Sequence, residues 1–139
     1  MKALSRLLAL IFLICVANCN RPANPVASIL GRYEFIAYND SGQRVFTGTI
    51  SLTSLDQNYM NGQCSIVRER DADPTILDQN PRCQALLEEK KITIDFAPYL
   101  NDGGIIFEGE ISDDRIAGLW MFETFAGTQP QGKFEAVKK

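Results

Sequence analysis

From Gly31 onward, apolar side chains recur at every second position, and this spacing constrains the fold more than any other feature of the chain. Successive side chains of a β-strand point to opposite faces, so a period of two marks a strand with one face to bury. In Arg44–Leu55 the residues Phe46, Gly48, Ile50 and Leu52 fall on one face, while Thr47, Thr49, Ser51 and Thr53 fall on the other. The same reading puts Tyr33, Phe35 and Ala37 on a first strand and Met60, Gly62, Cys64 and Ile66 on a third. Ile92, Ile94 and Phe96 follow, then Ile105, Phe107, Gly109 and Ile111, then Ile116, Gly118, Trp120 and Phe122, and finally Gly132, Phe134 and Ala136.

Short turn signals separate these runs: Asn39-Asp40-Ser41-Gly42, Asp56-Gln57-Asn58, Asn101-Asp102-Gly103-Gly104 and Ser112-Asp113-Asp114. Their residues tolerate left-handed or side-chain-bonded turns, so consecutive strands pair as an antiparallel meander. No helical pattern is long enough to cover a sheet, and a one-sided meander buries its apolar face by rolling into a closed barrel. Glycines in phase with the apolar face, Gly48, Gly62, Gly109 and Gly118, permit tight coiling and leave room for a bulky side chain opposite. Incidental glycines at bulges of a two-sheet sandwich are the competing explanation. Asp71–Arg82, with Pro74 and Pro81, reads as a loop. By propensity Ala85-Leu86-Leu87-Glu88-Glu89 would start a helix, but an eight-stranded barrel takes Cys83–Lys90 as part of its fourth strand. The expectation is an all-β, up-and-down antiparallel barrel of about eight strands over residues 31–139.

Ahead of it stand Lys2 and Arg6, an apolar run Leu7–Ala17 and a polar tract from Asn18. The run is too short to span a bilayer and has the length of a signal-peptide core. This gives a signal peptide over 1–18 and, with Pro22 and Pro25 among small residues, an extended tether over 19–30. Cys15 leaves with the leader. Cys64 and Cys83 can pair in an oxidising compartment, stabilising by roughly 3 kcal/mol through loop closure; two buried unbonded thiols are the alternative. Cys19 is then left over.

Val16-Ala17-Asn18-Cys19 resembles the lipobox of bacterial lipoproteins, with Asn18 where Gly, Ala or Ser is usual. The resemblance implies acylation of Cys19 and attachment to a membrane of the cell envelope. Asn20 is not acidic, which by family analogy points to the outer membrane. Ordinary cleavage near Ala17 or Cys19 would instead give a free secreted protein. Three further segments carry a second resemblance: Gly31-Arg32-Tyr33, the run Gly109-Glu110-Ile111-Ser112-Asp113-Asp114-Arg115-Ile116-Ala117-Gly118-Leu119-Trp120, and Gly132-Lys133-Phe134-Glu135-Ala136. Together they resemble the calycins, the lipocalin and avidin type of barrel. Lipocalins usually carry Trp where Tyr33 stands, with a basic residue of the last strand across it, here Lys133 or Lys138. This resemblance implies a small hydrophobic ligand in the barrel mouth, lined by Tyr33, Phe35, Phe46, Ile94, Phe107, Trp120 and Phe122. Trp120 either stacks on such a ligand or fills the core.

The chain of 139 residues loses two of its 14 basic residues with the leader, leaving 12 against 17 acidic ones, a net charge of −5. That sign does not attract nucleic acid. With no His, nucleophile relays lack a member, and no phosphate-cradling Gly loop is present. Glu34, Asp95, Glu108, Glu110 and Glu123 fall on the outer face, unpaired for hydrolysis. Asp71, Asp73 and Asp78 lack the Gly and Glu of a calcium loop. The chain therefore reads as a non-enzyme without cofactor or metal. A second functional class remains: a protein-binding module that uses the long Asp71–Arg82 loop, with the barrel as scaffold.

Overall fold

A computed structural model describes residues 29–69, 82–99 and 103–139. The alternating runs become eight strands: β1 (Gly31–Asn39), β2 (Arg44–Asp56), β3 (Tyr59–Arg68), β4 (Arg82–Glu88), β5 (Lys91–Asp95), β6 (Ile105–Ser112), β7 (Arg115–Thr124) and β8 (Gly127–Lys138). Each pairs antiparallel with its neighbours in sequence, and β8 returns to pair with β1 from Tyr33↔Lys138 to Asn39↔Gly132. The sheet is thus a closed up-and-down barrel. Continuous closure excludes the two-sheet sandwich.

β4 shows why propensity yields to context. Cys83, Ala85 and Leu87 are buried while Arg82, Gln84 and Glu88 are exposed, so the segment alternates with period two. Ladder bonds to β3 and β5 on either side then hold it extended. A helix there would leave two strand edges unpaired.

Curvature comes from the glycines on the inner face. A Cβ on Gly118 would lie 1.9 Å from the Glu108 carbonyl oxygen, and on Gly48 or Gly132 equally close to the Ser65 or Tyr38 carbonyl oxygen. The backbone of the next strand occupies the space a side chain would need, so the sheet pinches there. Aromatic rings cover these gaps from neighbouring strands: Phe35 is the cross-strand partner of Gly48, Phe134 of Gly118 and Trp120 of Gly132. Each ring recovers apolar contact that a bare glycine forfeits.

The two ends differ. Gln57-Asn58, Glu89-Lys90 and Asp113-Asp114 make tight turns at one end, with Gln57, Glu89 and Asp113 at positive φ. Ile29 enters at this turn end and packs into the core, although the sequence reading leaves it in the tether. The opposite, loop end carries the connections after β1, β3, β5 and β7. The leader, Cys19 and the tether up to residue 28 lie outside the described residues, as do 70–81 and 100–102, which hold most of the expected Asp71–Arg82 loop and part of the Asn101–Gly104 turn.

Cys64 and Cys83 form a disulfide, with Cα atoms 5.8 Å apart. Among the described residues the β3–β4 ladder runs from Tyr59↔Leu86 to Gln63↔Arg82, so the bond adjoins its last described pair. Beyond it, β3 runs on from Cys64 to Arg68 along β2.

Candidate functional site

The seven side chains that the sequence points toward a ligand are all in phase with the barrel axis, but they do not line one open chamber. Tyr33 lies toward the turn end. Its hydroxyl donates to the Ile29 carbonyl at 2.7 Å, and the Lys138 ammonium stands 5.9 Å from its ring centre. Gly31 makes room for that lysine, whose Cε lies 2.7 Å from where a Cβ would be; Lys133 is instead exposed on the outer wall. Burial first, and Asp114 second, push the Tyr33 phenol above its usual value, which keeps the donor protonated.

Midway along the barrel the rings pack against one another. Phe35 meets Phe107 edge-on at 5.0 Å between centroids, Phe96 lies 4.6 Å from Phe107, and Phe134 stacks on Phe107 at 4.2 Å. Such pairs add roughly 0.5–1.5 kcal/mol each beyond the area they bury. A void that admits a water-sized probe would leave accessible area on the side chains around it, even when sealed. Phe35, Ile50, Met60, Ile94, Phe107, Ile116 and Phe134 are at most 1% exposed. The middle of the barrel is solid.

Trp120 is held as part of the wall. Its indole N–H donates to the Tyr38 carbonyl at 2.8 Å, over the space left by Gly132, and Phe46 meets its ring edge-on at 5.1 Å. Phe122 differs from the other six: it pairs with Ile105 across β6 and is only half-buried. Between Trp120 and Met121 the β7–β8 register shifts. Beyond the shift Met121 is buried opposite Ile106, outside the central core.

One inward residue escapes sequence reasoning. The phase of Met60, Gly62, Cys64 and Ile66 continues to Arg68, the cross-strand partner of buried Phe46. Arg68 therefore faces inward at the loop end. Its Nε and Nη2 are closed off from solvent and have no hydrogen-bond partner. A charge in phase with an apolar run is the signal that would have found it. The neighbouring cation, Arg44, is engaged with Glu69 at 2.9 Å on the surface.

Among the described residues the carboxylates lie outside the core, and no three His, Cys, Asp or Glu side chains converge as a metal would require. Asp95 is half-buried at the end of β5. Desolvation raises its pKa above the usual value, opposed by the Ala97 N–H that donates to its Oδ1 at 2.8 Å. Open grooves of about 550 and 580 Å³ run along the outer wall, where the sheet pinches at Gly118 between Ala117 and Leu119. Their floors mix charged and apolar groups, among them Lys91, Glu108 and Leu119.

Solid core, closed ladder and one orphaned cation at the loop end define a small β-barrel of the up-and-down class. No protein-family model matches the chain, and no curated protein matches it. Similar solved structures are designed barrels. The barrel EF1p2_mFAP2b, solved bound to DFHBI, is 11% identical with a TM-score of 0.51, covering 82% of this chain and 96% of that one. The redesigned barrel mFAP1, also bound to DFHBI, is 13% identical with a TM-score of 0.47, over 84% and 100% of the two chains. A third structure, from the de novo design of a fluorescence-activating β-barrel, is 13% identical with a TM-score of 0.42, over 84% and 99%. At such identity the first likeness speaks to the fold alone.

Proposed function

We propose that this is an exported, lipid-anchored protein of a bacterial cell envelope whose barrel binds a small apolar molecule at its loop end. The observation that carries the binding reading is the contrast along the axis: inward side chains are sealed in the middle of the barrel, while Phe122 and Ile66 remain half-buried at the loop end. An apolar molecule gains contact there without opening the core. That EF1p2_mFAP2b is bound to DFHBI supports the compatibility of this topology with a ligand.

The lipid reading is supported by the leader, by the leftover Cys19 and by a disulfide of the kind that persists outside the reducing cytoplasm. Because the chain enters the barrel at Ile29, a tether from Cys19 would hold the turn end toward the membrane and aim the loop end away from it. Labelling cells with an alkynyl fatty acid should mark the wild-type protein and not the Cys19→Ala variant, which should leave the membrane fraction. Equal labelling of both would overturn the anchor. Native mass spectrometry of protein taken from its own envelope should show a bound small molecule, and repeated absence would count against the binding reading.

A protein-binding role is the second reading, favoured by three exposed apolar side chains toward the loop end, Val67 at 61%, Tyr99 at 57% and Phe125 at 85%. Photocrosslinking from Val67 in intact cells should then capture one dominant partner; a diffuse pattern would dismiss it.

A further inference from the structure

We infer that Arg68 is an acceptor site for a carboxylate, so that the molecule bound at the loop end is an amphipathic acid with its head on this guanidinium. This rests on the small-molecule reading above and names the ligand's chemistry.

Which two donors are orphaned matters. Nε–H and the neighbouring Nη2–H point the same way along one edge of the guanidinium plane, spaced to meet the two oxygens of one carboxylate side-on. Both atoms of that edge are shut away from water without a partner. Buried guanidinium donors are ordinarily satisfied, and a specific exception calls for a missing acceptor. A neutral hydroxyl would satisfy one donor at a time; a carboxylate satisfies both and carries the compensating charge.

Placement agrees with this. Arg68 is an inward-facing charge among apolar side chains, since its neighbours in phase are Ala37, Phe46 and Ile66. A tail thus finds apolar contact beside the head's site. The whole-chain charge has the wrong sign to attract an acid, so any preference for one must come from a local donor.

The test uses decanoate and decanol, which share a tail and differ in the head, with fluorescence of the single tryptophan, Trp120, as readout. The wild-type protein should bind decanoate at least about tenfold more tightly than decanol. Arg68→Met should abolish that preference and leave decanol affinity unchanged. Arg68→Lys, which keeps the charge but not the two-donor edge, should lose most of it. Removal of unsatisfied donors should also leave the melting temperature of free Arg68→Met equal to or above that of the wild type. Undiminished preference for decanoate in Arg68→Met would overturn the inference while the binding reading stands. Binding of neither probe would overturn both. Melting of Arg68→Met well below wild type would assign the guanidinium a purely structural role and overturn the inference too.

Discussion

Single residues show where folding and solvation pull against each other. Asp95 is a carboxylate half-withdrawn from water, and its raised pKa means that the folded state holds the proton more tightly than the unfolded chain does. Its contribution to stability is therefore fully present below the reference value of 3.8 and is lost as pH rises through the folded-state pKa. Asp95→Asn removes the charge and keeps an oxygen to accept from the Ala97 N–H. The variant should melt above the wild type at neutral pH and level with it at about pH 3, where both side chains are neutral. A lower melting temperature at neutral pH would show that the charged acceptor matters more than its desolvation. Residue-scale legibility was uneven for a physical reason. Phase along a strand told which side chains point inward, so Tyr33, Phe35 and Phe107 were readable. Phase does not tell whether they touch: the closed ring contacts that fill the axis depend on how tightly the sheet coils. Arg68 was missed because a charge invites assignment to the adjoining loop.

At the scale of elements, the glycines on the inner face decide the curvature. Placing Ala at Gly48, Gly118 or Gly132 drives a Cβ to 1.9 Å from a carbonyl oxygen, whereas at Gly62 and Gly109 the nearest backbone oxygen is 2.7 and 2.9 Å away. Urea unfolding should therefore rank the first three substitutions as costlier, on the order of 3 kcal/mol or more, than the last two. Equal costs at all five sites would mean that the glycines serve flexibility rather than close approach. The strands flanked by turn signals were legible in the sequence because alternation and turns agreed. For β4 leucine, alanine and glutamate favour a helix, so the strand expected over Cys83–Lys90 rested on the strand count of a barrel, and its ladders with β3 and β5 hold it extended. The shift beyond Trp120 left no mark in the pattern, because it is set by pairing with β8.

For the whole molecule, the two ends divide the work. One end is closed by tight turns, Ile29 and the Tyr33 hydroxyl; the other carries the longer connections, the disulfide between β3 and β4, and the orphaned guanidinium. The barrel itself was legible because one-sided strands in a meander have few ways to bury their apolar faces. That its middle is solid was not legible, since eight strands enclose a space that side chains can either fill or leave for one ligand. The proposed binding is confined to the loop end, since the middle of the barrel is filled. An NMR titration of isotope-labelled protein with decanoate tests this directly. Shifts should gather at Phe46, Arg68, Trp120 and Phe122 and be absent from Ile50, Met60 and Ile116. Shifts reaching those three core residues, or gathering at Leu119 on the outer wall, would contradict it.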